Sequence, residues 1–312
     1  MKSNNVLAKS AKDRTLDDLV YIENEIASTQ NVTVSSGFYM DPSIPVAIKK
    51  LKTRDERPWF STDTDSSLVK DLNNEMDILD QIAHPNIVKY YGYMFSGENP
   101  CIIMDLLAYS LEDVLLKSNI LNERSNMMAA ALQAKVALSI AYALEYLHHN
   151  KIVHADLKLA NVLTNEDFSA VKVCDFGLSQ DTTKNTSQTE WSRGTLVWLS
   201  PEIAQYTIDK NIRRPDAPKD PYKIDMWPFG HILLQFLINT NATPYNHLPP
   251  KTTDYALFLL IAAGNHHPIP PAKPLSELII WCLQKDPAKR PSATEAIDAI
   301  CKLQSKNNKK PC

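Results

Sequence analysis

With 312 residues, 44% of them hydrophobic and 22% charged, the chain has the balance of an ordinary globular protein and room for one large domain or two lobes with separate cores. A formal net charge of −3 with no basic domain gives no footprint for nucleic acid. Five cysteines, Cys101, Cys174, Cys282, Cys301 and Cys312, form no C-x-x-C pair, which argues against a disulfide or metal scaffold and for free thiols in a reducing compartment.

Residues 1–15 are polar and lysine-bearing, lack an apolar signal core and read as a tail. From Leu19 to Leu51 the pattern alternates and ends in a strand-like run, Pro45-Val46-Ala47-Ile48-Lys49. Leu68, Leu72, Met76, Leu79 and Ala83 recur at three- and four-residue steps, which predicts a helix that stops before Pro85. Val88 to Tyr93 and Cys101 to Asp105 read as strands. Beyond about Leu107 helices take over. Leu132, Val136, Ile140, Leu144 and Leu147 mark one long apolar face, and Asp225 to Ile238 is a second apolar helix with Pro228 in its first turn. Ser276 to Leu283 and Ala293 to Leu303 complete the helices.

The order implies an α+β fold of two lobes: a small β-rich lobe with one helix over 16–107, then a larger, mainly helical lobe over 108–304, with a basic tail at 305–312. The longest apolar run, Tyr255 to Ala263, is far short of the ~20 residues of a spanning helix. The expectation is therefore a soluble protein of the cytoplasm or nucleus, without membrane insertion. Asn31-Val32-Thr33, Asn185-Thr186-Ser187 and Asn241-Ala242-Thr243 would matter as glycosylation triplets only in a secreted chain.

The chemistry concentrates in His154-Ala155-Asp156-Leu157-Lys158-Leu159-Ala160-Asn161, followed by Val171-Lys172-Val173-Cys174-Asp175-Phe176-Gly177. Phosphoryl transfer needs an acidic group at the acceptor hydroxyl, a cation at the transferred phosphate and oxygen ligands for a divalent metal. Asp156, Lys158, Asn161 and Asp175 supply those groups, with Asp175 fourteen positions after Asn161.

This stretch resembles the H-R-D-x-K-x-x-N and D-F-G motifs of eukaryotic protein kinases, in particular serine/threonine kinases of the tyrosine-kinase-like group. The resemblance implies Asp156 as base, Lys158 at the γ-phosphate, and Asn161 and Asp175 on Mg²⁺, with ATP and a protein bearing a Ser/Thr acceptor as substrates and with protein regulators as further partners. Lys49, after Val-Ala-Ile, matches the phosphate-contacting lysine, and Glu75 its acidic partner. Val34, Ala47 and Leu163 match the apolar walls around adenine; Met104, Asp105 and Leu107 match the gatekeeper and hinge. Leu79, Tyr90, His154 and Phe176 match an apolar column. Gly194-Thr195-Leu196-Val197-Trp198-Leu199-Ser200-Pro201-Glu202 matches the G-T-x-x-W-M-A-P-E segment, implying a Glu202–Arg290 bridge, and Asp225 is expected to cap the backbone at 154–161.

The pattern is broken in two places. Ala27, Thr29 and Val32 stand where the phosphate-covering loop carries glycines, and Gly37 lies too late to replace them; the expectation is a hairpin with looser phosphate contact. Ala155 replaces the motif's arginine. Reading one is an active ATP-dependent kinase; reading two is a pseudokinase that serves as a nucleotide-binding or scaffold module; reading three is a small-molecule phosphotransferase, against which the Thr195–Glu202 segment argues. Without an arginine at 155, activity should depend weakly on phosphorylation of Thr182, Thr183, Thr186, Ser187, Thr189 and Ser192. Alanine at all six together is expected to lower phosphotransfer less than about 100-fold, or ~2.7 kcal/mol of barrier; a larger loss would overturn this expectation.

Overall fold

A computed structural model of the chain describes residues 20–39, 44–52, 65–96, 99–116, 126–184, 193–210, 219–238, 244–245, 247–249, 251–271 and 274–307. The 1–15 tail, Thr186, Ser187, Thr189, Ser192, Cys312 and the triplets at 185–187 and 241–243 lie outside the described residues. The chain divides into two compact units, Met1–Leu107 and Ala108–Cys312.

The first unit is a five-stranded antiparallel sheet in the order β1-β2-β3-β5-β4, from β1 (Val20–Ser28), β2 (Val32–Tyr39), β3 (Ile44–Leu51), β4 (Tyr90–Ser96) and β5 (Asn99–Asp105). In the centre of the sheet, β3 buries Val46, Ala47 and Ile48 in succession, so both of its faces are covered and its apolar run does not alternate. Val46, Ile48, Met94, Cys101 and Ile103 form the buried core of this sheet. Gly37 is required by packing: a Cβ there would lie 2.1 Å from the Tyr21 carbonyl oxygen on the neighbouring strand. The helix α1 (Asp65–Leu79) buries Leu72, Glu75, Ile78 and Leu79 on one face. It ends four residues before Ala83, where the sequence periodicity had continued, because the chain turns at Asp80 and Gln81.

The second unit carries seven helices among the described residues: α2 (Leu111–Leu116), α3 (Asn126–His149), α4 (Pro201–Lys210), α5 (Lys223–Ile238), α6 (Asp254–Ala262), α7 (Ser276–Cys282) and α8 (Ala293–Asn307). Short strands punctuate them: β6 (Tyr109–Ser110), β7 (Ile152–Val153), β8 (Val162–Thr164), β9 (Val171–Val173) and β10 (Gln180–Asp181). All five apolar positions of the α3 stripe, from Leu132 to Leu147, are buried. Helix α5 is buried on every side from Ile224 to Phe236. It starts two residues earlier than the apolar pattern suggests, so Pro228 falls in its second turn and the Ile224 carbonyl loses its usual donor.

The bridge between Glu202 and Arg290 is present and fully satisfied. Arg290 Nη1 and Nη2 donate to the two Glu202 oxygens at 2.7 and 2.6 Å, and its remaining N–H groups reach the carbonyls of Gln284, Lys223 and Lys285. All five guanidinium protons are thus placed, over the face of Trp227. Arg290 is fully buried and Glu202 is 18% exposed, so removing the guanidinium leaves a mostly buried carboxylate without its counter-charge. Arg290→Ala is therefore expected to lower the unfolding free energy by about 3 kcal/mol or more in denaturant titration. An unchanged midpoint would show that the bridge carries no stability.

Candidate active site

The 154–161 loop leaves β7 and ends in a 3-10 turn, Leu159–Asn161, that leads into β8. Its sharpest bend is at Ala155, whose φ of +63° is a left-handed conformation that costs a side-chain-bearing residue ~1–2 kcal/mol. One carboxylate offsets that cost. Asp225, fully buried in the first turn of α5, accepts the His154 N–H on Oδ2 and the Ala155 N–H on Oδ1, each at 2.9 Å. His148 Nε2 meets the same Oδ2 at 2.9 Å. His154 uses both ring nitrogens: Nδ1 accepts from Asp156 N at 3.3 Å and Nε2 donates to the Cys174 carbonyl at 3.0 Å. With its ring packed 5.1 Å from that of Phe176, His154 is a structural residue.

Asp156 is the hub of the loop. Its Oδ1 accepts from Thr195 N and Thr195 Oγ1, both at 3.0 Å; its Oδ2 accepts from Lys158 Nζ at 2.5 Å and from Asn161 Nδ2 at 3.3 Å. Lys158 Nζ also donates to Thr195 Oγ1 at 2.9 Å. These donors fix the plane of the carboxylate and hold the lysine beside it. Gly194, at φ +122°, delivers Thr195 to this position; a Cβ on Gly194 would crowd the Ala155 carbonyl at 3.2 Å. Asn161 Nδ2 donates to the Asp156 carbonyl at 2.8 Å, which turns its amide oxygen away from that bond. The β8–β9 pairing and the Cys174 N–H to Asn161 carbonyl bond, 3.0 Å, bring Asp175 next to Asn161. Asp175 itself has φ +67°. Cys174 is a buried thiol.

One amide oxygen and one carboxylate form an oxygen-only donor set, which suits Mg²⁺ better than softer metals. Among the described residues no group of three His, Cys, Asp or Glu side chains could hold a metal ion. A cation at Asn161 and Asp175 would thus draw further oxygens from a phosphate or from water.

In the first unit, Lys49 Nζ meets Glu75 Oε2 at 2.6 Å, with the glutamate 1% exposed. Ala47 pairs with Met104, and Val46 with Asp105, across β3 and β5. The Asp105 carboxylate accepts from Lys89 N at 2.9 Å and Tyr91 Oη at 3.1 Å, and the Asp105 N–H donates to the Lys89 carbonyl at 3.0 Å. Burial first and that carboxylate second push the Tyr91 phenol up to about 12. Among the described residues no hydrogen bond engages the Leu107 backbone. Leu163 lies on β8 of the second unit.

The glycine-free hairpin closes without a left-handed residue. Ala27 pairs with Val34 and Ser28 with Thr33, and none of Thr29, Gln30, Asn31 and Val32 has a positive φ. Thr29 N donates to the Val32 carbonyl at 2.8 Å, and Val32 N donates to Thr29 Oγ1 at 3.1 Å. Two of the loop's N–H groups are thereby used within the turn. Sequence reasoning placed Thr195 in a matching segment but missed its bonds to Asp156 and Lys158; a hydroxyl right after Gly194 was the available signal.

The chain belongs to the protein kinase family: residues 22–300 match the family model of the protein kinase domain. It is 34% identical over 258 residues to a probable serine/threonine-protein kinase of Dictyostelium discoideum, covering 82% of this chain and 25% of that protein. It is 30% identical over 285 residues to the serine/threonine-protein kinase STY17 of Arabidopsis thaliana, covering 90% of this chain and 44% of the relative. Against the Arabidopsis serine/threonine/tyrosine-protein kinase HT1 it is 26% identical over 94% of this chain and 69% of the relative. The chain thus spans a quarter of the first relative's length and less than half of the second's. No described helix is long and apolar enough to cross a membrane.

Proposed function

We propose that the chain is an ATP-dependent protein kinase that transfers the γ-phosphate of Mg-ATP to serine and threonine hydroxyls of protein substrates. The observation that carries this reading is the Asp156 carboxylate, oriented by Thr195 and bridged to Lys158. Asp156 orients the acceptor hydroxyl and takes its proton as the new ester bond forms. Lys158 lies beside that carboxylate and balances charge on the γ-phosphoryl group in flight. Asn161 and Asp175 hold Mg²⁺, which when bound neutralises charge on the phosphate oxygens. Lys49, fixed by Glu75, binds the α- and β-phosphates. Val34, Ala47, Met104 and Leu163 supply apolar contact to adenine, and the backbone of Asp105 and Leu107 its polar recognition. Ala27, Thr29 and Val32 cover the phosphates; with the Thr29 and Val32 N–H groups already bonded, the loop shields more than it grips. In this reading 16–107 is the nucleotide lobe and 108–304 the substrate lobe. The buried free thiols of Cys101, Cys174 and Cys282 support a cytoplasmic or nuclear setting.

A nucleotide-binding scaffold without transfer is the second reading, and the glycine-free loop is the observation that favours it. Radiolabelled ATP offered with Mg²⁺ and a generic basic protein separates the two. Transfer to Ser/Thr is expected, with Asp156→Asn and Lys49→Met each losing about 100-fold or more. Mg-ATP binding with no transfer by the unaltered chain would select the scaffold.

A further inference from the structure

The segment after Asp175 returns alongside the segment before Asp156. Gln180 pairs with Val153 and Asp181 with Ile152, a ladder only two residues long. So short a pairing has little stability of its own. Both ends are closed by hydroxyls. At one end Ser179 Oγ donates to the His154 carbonyl at 3.0 Å. At the other, Thr182 donates to the Lys151 carbonyl from its N–H at 2.8 Å and from Oγ1 at 3.0 Å. Thr182 Oγ1 also lies 3.0 Å from Tyr222 Oη. A threonine hydroxyl has one proton; given to Lys151, it leaves the oxygen to accept the Tyr222 O–H.

The contact reaches further inward. The Tyr222 ring packs against His148 with centroids 5.2 Å apart, and His148 meets the Asp225 carboxylate that holds the His154 and Ala155 N–H groups. Lys151, the acceptor of the Thr182 bonds, sits at φ +63°, a conformation that its surroundings must fix. Ala155 offers only a methyl group, so no side chain at 155 can tie these segments together.

We infer that Thr182 is a positioning residue: its unmodified hydroxyl, clasped between Lys151 and Tyr222, latches the chain leaving Asp175 to the chain entering Asp156, and does so without a phosphate. For its effect on turnover this rests on the kinase reading. The latch itself is a structural property that can be read without catalysis.

The test uses the full chain with Thr182→Val, Thr182→Ser, Thr182→Glu and Tyr222→Phe. Backbone amide exchange over 151–156 is measured beside kcat and the KM for ATP, with melting midpoints to confirm folding. Thr182→Val is expected to speed exchange at 152–155 about fivefold to tenfold, the weight of one or two hydrogen bonds, and to lower kcat similarly with KM unchanged. Tyr222→Phe shows a smaller change of the same kind, and Thr182→Ser stays within about twofold of the parent because the hydroxyl is kept. Thr182→Glu lowers activity as valine does. Unchanged exchange in both the valine and phenylalanine variants, a serine variant as impaired as valine, or activation by glutamate would each overturn the latch. A parent chain that transfers no phosphate would defeat the kinase reading alone, and the exchange data would still decide the latch.

Discussion

The arrangement at 154–161 depends on one buried carboxylate. Asp225 receives two successive backbone N–H groups, from His154 and Ala155, and the His148 ring. Those bonds hold Ala155 in a left-handed bend, and the bend sets where the next residue, Asp156, projects. A single acceptor group at the start of a helix buried from Ile224 to Phe236 is a rigid reference point, since α5 can neither tilt nor slide without opening the core around it. The loop is thereby fixed by its backbone rather than by a side chain at 155.

From that anchor the remaining polar groups form a closed set. Asp156 takes four donors, Lys158 is shared between Asp156 and Thr195, and Asn161 clamps the Asp156 carbonyl while its own carbonyl receives Cys174 N. Such pre-organisation lowers the reorganisation that a charged transition state would demand. The hairpin over 27–34 follows the opposite logic. Two of its N–H groups, those of Thr29 and Val32, are spent on its own turn, so it gains a stable closure without glycine and gives up two donors that could face an anion.

Much of this was legible in the residues. The α3 stripe, the buried α5 run and the spacing from Asp156 to Asp175 follow from periodicity and chemistry, because each depends on near neighbours in sequence. Lys49 and Glu75, 26 residues apart, could be paired only by resemblance. What stayed hidden depends on long-range hydrogen bonds of ordinary residues. Thr195 reaches Asp156 across 39 positions, Thr182 reaches Tyr222 across 40, and His148 reaches Asp225 across 77. A threonine or tyrosine in a polar stretch carries no periodic signal. The end of α1 was misjudged for a related reason: Ala83 continued the apolar phase by chance while the turn at Asp80 and Gln81 broke the helix.

The most direct test of the Asp225 anchor is the single-turnover phosphotransfer rate of Asp225→Asn with saturating Mg-ATP, taken with the exchange rates of the His154 and Ala155 amides. An asparagine keeps the shape but offers one acceptor oxygen, so one of the two N–H groups faces an NH₂ and loses about 1–3 kcal/mol of support. Exchange at these two amides should quicken, and transfer should fall at least about tenfold while the chain stays folded. Transfer at the parent rate with both amides still protected would contradict the claim that this carboxylate sets the site.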